Sequence, residues 1–407
     1  MTKLTDKKDV TKLILLFTLT YMVSYITRIN YGTIIVEIEK STGLSKTMLS
    51  MALTGSFITY GAGQIVSGLL GDKFSPKKLV SIGFMITVLM NTMVPLCQNP
   101  YTITALWCIN GFAQSLMWPP LVRLMTSLLS EDDYNRASVR VSWGSSFGTI
   151  FVYFLSPVLI SVSGWKSVFF VSAAAGVIML FVWNKFSYDI PPVKKEITSS
   201  DSISLKKGRI FTPVMLMVML AIILQGMLRD GVTTWMPSYI SETFNLGSAI
   251  SILTGVVLPL FSILSFQVAS KLYRKTFTNP VLCAGVIFGF GAVSAFALYG
   301  LSEFSPVVSV ALSALLTGSM HGVNLVLICM IPSFFKKYGN VSTVSGVINS
   351  CTYIGSALST YGIALLSDMH GWNFTLLVWS VIALSGTLVC LVNAKPWKKR
   401  YQSGNDN

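Results

Sequence analysis

Two arginines stand inside apolar stretches of this chain. Arg28 lies in Tyr25-Ile26-Thr27-Arg28-Ile29-Asn30-Tyr31, and Arg229, 201 residues further on, lies in Leu228-Arg229-Asp230-Gly231. A guanidinium stays protonated at any physiological pH, and its planar fork of N–H donors fits two oxygens of a carboxylate or phosphate. A charge inside an apolar helix is costly and faces a cavity or a partner. Two readings are open: a joint clamp on an anionic substrate, or two separate structural pairings. The matching positions of the arginines in two halves of the chain favour the clamp. Asp230 neighbours one of them, but adjacent helical residues do not face each other. A direct Arg229–Asp230 pair is therefore not expected; Asp230 is expected to bond a different helix. Its two roles are structural ion pair, the favoured one, and proton-coupling carboxylate.

Other polar groups fall within apolar runs: Gln64, Asn110, Gln114, Gln225, His321, Asn324 and Asn349. Amides in membrane helices commonly bond neighbouring helices. Gln64, Gln114 and Asn324 are also candidates for bonding substrate hydroxyls. His321 has no carboxylate nearby in sequence and reads as a packing residue. Arg123 follows Trp118-Pro119-Pro120, where the prolines interrupt regular hydrogen bonding. Arg123 and Trp118 are thus gate or loop candidates. Asp72, in Gly71-Asp72-Lys73, is a third, able to meet a helix N-terminus.

No P-loop, GxSxG elbow, HExxH pair or dinucleotide fingerprint is present. Six cysteines lie in apolar segments without CxxC spacing, so neither a metal site nor a disulfide framework is indicated. The expectation is a protein that is no enzyme and uses no cofactor.

The elements that position these residues follow from composition. The chain has 407 residues, 52% hydrophobic and only 11% charged, against roughly 25% charged in soluble domains. A bilayer core needs about 20 apolar residues per helix. Twelve such runs occur, at 12–37, 46–71, 78–97, 101–129, 137–163, 167–187, 210–240, 247–270, 279–301, 305–334, 341–367 and 372–394. The expected fold is an all-α membrane protein, twelve transmembrane helices in two pseudosymmetric six-helix bundles. Its parts are a first bundle at 1–187, a polar cytoplasmic linker at 188–209, a second bundle at 210–394 and a basic cytoplasmic tail at 395–407.

The net charge of +14 is a matter of topology. With the N-terminus inside, Lys40, Lys46 and Lys166 fall on the far side and Arg28, Arg123 and Arg229 within helices, while every other base falls on the cytoplasmic side. Both termini are predicted to be cytoplasmic, and no nucleic-acid partner is implied. An internal repeat supports the two-bundle division. Gly164-Trp165 recurs as Gly371-Trp372, Gly148 as Gly355, and Leu53-Thr54-Gly55 as Leu253-Thr254-Gly255.

Gly68 to Lys78, between the second and third helices, resembles the signature loop of the major facilitator superfamily. Three further stretches resemble its organophosphate:phosphate antiporter family: Tyr25 to Asn30; Asn110 to Pro120 with Arg123; and Leu228-Arg229 followed by Trp235-Met236-Pro237-Ser238-Tyr239. The resemblance implies a carrier in which the arginines matching Arg28 and Arg229 bind phosphate, with Tyr21, Tyr25 and Tyr60 near the site. Two departures stand out. A family lysine is Gln64 here, and a family histidine is replaced by Ser145. Both remove positive charge, which favours an anion of lower charge or a sugar-like substrate.

The resulting expectation is a secondary carrier of an organic anion, a phosphate ester exchanged for inorganic phosphate by alternating access. It would be monomeric, in a bacterial inner membrane. Two unpaired cations in an empty cavity would resist occlusion, which favours obligatory exchange. The alternatives are a proton-coupled importer of a carboxylate or sugar acid, and a transporter-like sugar-phosphate receptor.

Overall fold

A computed structural model describes residues 3–4, 6–44, 46–190, 210–245 and 257–402. Within these residues the chain is helical, with no strand. The helices are α1 (Lys7–Thr33), α2 (Ile35–Thr42), α3 (Lys46–Lys73), α4 (Pro76–Met93), α5 (Pro100–Ser115), α6 (Trp118–Leu128), α7 (Glu131–Ser163) and α8 (Lys166–Phe186). They continue as α9 (Pro213–Phe244), α10 (Val257–Lys275), α11 (Pro280–Gly300), α12 (Pro306–Asn324) and α13 (Val341–Trp397). Most of the predicted linker, the first ten residues of the 247–270 span, the Leu253-Thr254-Gly255 repeat and the last five residues of the tail lie outside the described residues.

Helix starts are written in the sequence as a capping side chain followed by proline. Ser75-Pro76, Asn99-Pro100, Thr212-Pro213 and Asn279-Pro280 each place an oxygen on a first-turn N–H and a ring where no N–H is needed. Eight helical segments among the described residues are long and apolar enough to cross a membrane. The described parts of the remaining expected spans are helical as well. α3 and the first limb of α13 are diluted by Gly, Ser and Thr, and α10 is described only from Val257. The 101–129 span is two helices, α5 and α6, because Pro119 and Pro120 can occupy only the opening turn of a new helix.

Four further boundaries differ from expectation. The first span breaks at Ile34, and α2 carries the chain on to Thr42. α12 passes through a wide π-turn at Leu325–Met330 into a 3-10 helix at Ile331–Tyr338. α13 joins two predicted spans through Gly371. Its second limb runs to Trp397 and a further turn at Lys398–Gln402, so the predicted tail begins as helix.

The chain divides into two compact units. One comprises residues 1–195 with 335–350; the other comprises 196–334 with 351–407. In the first, α1 packs on α7 and α8, α3 on α5, and α4 on α8. In the second, α12 packs against α9, α10 and α11.

The repeat noticed in the sequence is structural. Gly164 and Gly371 share a left-handed backbone, φ 74° in both, with ψ 173° and 176°. In the first unit a Cβ on Gly148 would meet the Met22 carbonyl at 2.6 Å; in the second, one on Gly355 would meet the Ile223 carbonyl at 2.1 Å. Met22 and Ile223 stand 201 apart, as do the two arginines, and the glycines 207 apart. The same glycine thus lets the same pair of helices touch backbone to backbone in each unit.

Candidate functional site

In the first unit, the α1–α7 crossing lies just before Arg28, with Gly144 against the Thr18 carbonyl and Gly148 against Met22. The rotation of α1 is set by Thr27, which is buried. Its carbonyl accepts from Asn91 Nδ2 at 3.0 Å and Asn110 Nδ2 at 3.3 Å, and its hydroxyl accepts from Gln114 Nε2 at 2.8 Å. Asn30 Nδ2 donates to Asn91 Oδ1 at 2.8 Å, closing the network between α1, α4 and α5. Because Thr27 is held toward α4 and α5, Arg28, about 100° further round the helix, leaves that packed face. Its Cζ lies 4.2 Å from the ring centre of Tyr25 and 4.7 Å from that of Tyr60. A cation against two ring faces is electrostatically favoured. Tyr21 continues the aromatic row, 5.2 Å from Tyr25 and 4.9 Å from Trp118.

The structure therefore brings together Arg28, Tyr25, Tyr60, Tyr21 and Trp118. Trp118 belongs to this aromatic row as well as to the break between α5 and α6. Gln114 is turned to Thr27 as an interhelical bond. Gln64, fully buried, accepts from Asn349 Nδ2 at 3.1 Å. Ser145 donates to the Ser142 carbonyl of its own helix at 2.6 Å. Asn324 ends α12 in the other unit, at the start of the π-turn.

A second cluster within the first unit surrounds Asp72. Its carboxylate accepts from the backbone N–H groups of Ser342 and Thr343 at 3.0 and 2.8 Å, and from the Thr343 hydroxyl at 2.6 Å. These are unpaired donors of the first turn of α13, so Asp72 caps that helix from a distant part of the chain. Burial pushes its carboxyl pKa up, against the lowering effect of those bonds and of Arg123. Gly68 and Gly71 make the approach possible, since a Cβ on either would strike Ser342 or Thr343. Arg123 donates to the carbonyls of Gly71 and of Phe74, the latter at 3.0 Å, fixing the end of α3.

In the second unit, Arg229 corrects the sequence reading. Its Nε and Nη2 donate to Oδ1 and Oδ2 of Asp230 at 2.7 and 2.9 Å, a bidentate pair between adjacent residues. The Cβ vectors do diverge, but an arginine side chain is long enough to fold back and present its Nε–Nη2 edge sideways. In an apolar surrounding a neutralised pair is far cheaper than two separate charges. Asp230 also accepts from the Ser356 hydroxyl on α13, so the expected bond to another helix exists as well. The close α9–α13 approach at Gly226, Gly231 and Gly355 creates this meeting. His321, on α12, lies near enough to be influenced by both Arg229 and Asp230, and its ring stands edge-on to Phe266 at 5.5 Å. A carboxylate absent from its sequence neighbourhood is supplied by the fold. Gln225 Nε2, bonded to the Met320 carbonyl at 3.1 Å, holds α9 to α12 here.

Sequence reasoning missed Thr27 and Ser356. Each adjoins a residue that was noticed, Arg28 and Gly355, but a threonine and a serine in membrane helices carry no signal of their own.

Comparison with known proteins bears on both units. The sequence profile of the Major Facilitator Superfamily matches residues 17–360. A "Probable hexose phosphate transport protein" of Chlamydia muridarum is 23% identical over 89% of this chain and 87% of its own. A namesake from Chlamydia trachomatis is 29% identical over a shorter stretch, 40% of this chain and 36% of the relative. The "Glycerol-3-phosphate transporter" of Bacillus subtilis is 23% identical over 88% and 86%. The "Membrane sensor protein UhpC" of Salmonella typhimurium is 22% identical over 94% and 91%. In fold, the chain is similar to the proton:xylose symporter XylE at a TM-score of 0.75, with 12% identity over 95% of this chain and 96% of that one.

Proposed function

Since the chain belongs to the Major Facilitator Superfamily, a multi-pass membrane carrier and not an enzyme, we propose that it moves a phosphate ester in exchange for inorganic phosphate by alternating access. Arg28 carries this reading. Its guanidinium is held by two tyrosine faces, and its helix is locked in rotation by the Thr27 network. A guanidinium presents its N–H donors as a planar fork that fits two oxygens of a phosphate. Arg229, at the repeat-related position, is the second anion ligand. Relatives that carry hexose phosphate and glycerol-3-phosphate by name support the substrate class. Binding energy drawn from both arginines is coupled to rocking of the two bundles. The carrier is monomeric in a bacterial inner membrane, with both termini in the cytoplasm; the bacterial relatives support that placement.

The test is uptake of a labelled sugar phosphate into proteoliposomes loaded with phosphate. Uptake is expected to rise with internal phosphate and to weaken in Arg28→Lys, which keeps charge but loses the fork. Uptake that ignores internal phosphate refutes exchange, and undiminished affinity in Arg28→Lys refutes the fork.

A further inference from the structure

The bidentate Arg229–Asp230 pair changes what an empty carrier is. An anion reaching Arg229 finds its Nε and Nη2 already bound to the oxygens of Asp230. We infer that Asp230 is an internal counter-ion that the substrate displaces, and that the displaced carboxylate takes a proton, so each anion crosses with one proton and the empty carrier returns without phosphate. The inference rests on the anion-site reading proposed above.

The steps balance without any redox partner. Two N–H bonds from Arg229 pass from the Asp230 carboxylate to phosphate oxygens. The carboxylate, left without its cation, accepts a proton from water on the open side, forming an O–H bond. On the other side the proton leaves to water, the phosphate leaves Arg229, and the pair re-forms. In the empty state the positive charge of Arg229 is already matched, so occlusion no longer requires a bound anion.

The groups that act on Asp230 are Arg229 on its own helix, the Ser356 hydroxyl from α13 and His321 from α12. Ser356 donates to the ionised carboxylate and favours it, resisting protonation until Arg229 is drawn away. His321 is the one other titratable group among them and the competing proton acceptor. Exchange and proton-coupled net transport share the loaded form, so the same protein performs both.

The experiment measures proton uptake on adding inorganic phosphate to the purified carrier, followed with a pH-indicator dye, together with two fluxes in proteoliposomes. One flux is phosphate:phosphate counterflow; the other is net phosphate uptake into phosphate-free vesicles driven by an acid exterior. Wild type is expected to bind about one more proton per phosphate than Asp230→Asn, by linkage between the two ligands. The ratio of net uptake to counterflow is expected to fall about tenfold or more in Asp230→Asn, because Arg229 would then return without the Asp230 carboxylate. Ser356→Ala tests the same carboxylate without removing it, and should move half-maximal proton uptake to higher pH. Equal proton uptake in wild type and Asp230→Asn, or its loss only in His321→Gln, overturns the assignment to Asp230. Counterflow without any acid-driven net uptake in wild type overturns the inference and leaves the anion site standing. Absence of both counterflow and phosphate binding sinks the anion site itself, and this inference with it.

Discussion

Replacing Gly355 by alanine should pull α13 away from α9, and the geometry sets how far. The new Cβ would sit 2.1 Å from the Ile223 carbonyl oxygen and 2.9 Å from the Met227 nitrogen, both backbone atoms that cannot swing aside. Ordinary contact begins at about 3.4 Å, so the helices must part by about 1.3 Å at this point. Overpacking of this kind costs about 1–3 kcal/mol. Alanine recovers about 0.8–1 kcal/mol through its better helix propensity. With two close contacts to backbone the cost lies at the upper end of that range, so the expected net loss is about 2 kcal/mol, a fall of a few degrees in apparent Tm for the purified protein. Gly148→Ala, whose Cβ would meet the Met22 carbonyl at 2.6 Å, should lose less. Gly289→Ala, whose nearest neighbour is a Thr387 methyl at 3.8 Å, should lose nothing or gain. Because Ser356 adjoins the crossing, Gly355→Ala should also shift proton uptake toward that of Ser356→Ala. Thermal unfolding of the three variants side by side decides the matter. A Gly355→Ala protein as stable as wild type, or a ranking with Gly289→Ala at the bottom, would refute the backbone-contact argument.

Two further predictions concern the first unit. Thr27→Val removes the hydroxyl that accepts from Gln114, leaving a buried amide without that partner, at about 1–3 kcal/mol. Part of the loss should return in Thr27→Val/Gln114→Leu; additive losses in thermal unfolding would show that the two residues do not interact. Burial raises the pKa of Asp72, so its ionised form is the one folding disfavours. Its contribution to stability is full below the unfolded pKa and declines as pH rises through the raised folded value. Asp72→Asn should flatten that part of the stability profile above about pH 4, and a slope of unchanged size in the variant counts against the assignment.

The helices were legible because hydropathy, cap–proline pairs and basic loops are local signals. Trp118-Pro119-Pro120 announced a break, and the break is there. Where a span would end was less legible. The π-turn after Asn324 follows a run, Leu325 to Met330, whose residues are as apolar as any helix interior and are wholly buried, so tertiary packing decides the winding. At the site, single-residue logic singled out Arg28, whose type declares its chemistry, while Tyr25 and Tyr60 came from the family resemblance. It failed at Arg229–Asp230 because helical-wheel geometry describes Cβ directions, whereas the reach of an arginine is several bonds longer. The surroundings of His321 were hidden as well, being made by α9 and α12 meeting across about 90 residues of chain. Asp72 was read as able to meet a helix N-terminus. Which helix it meets, some 270 residues away, only the fold reveals.

Duplication kept the backbone and let the polar chemistry diverge. At the 201-residue offset Arg28 matches Arg229, but Thr27 matches Leu228 and Ile29 matches Asp230. The first unit therefore has an amide network and ring faces where the second has a buried leucine and a carboxylate. A transplant follows from this correspondence. Ile29→Asp should place a carboxylate beside Arg28 in the same relation that Asp230 has to Arg229, giving the first arginine its own counter-ion. Phosphate would then have to displace two carboxylates, and its affinity should drop about tenfold or more, the equivalent of about 1.4 kcal/mol. Calorimetry on the purified variant measures this directly, with Ile29→Asn as the uncharged control for polarity at the same position. Equal phosphate affinity in Ile29→Asp and Ile29→Asn would mean that Arg28 does not hold the anion.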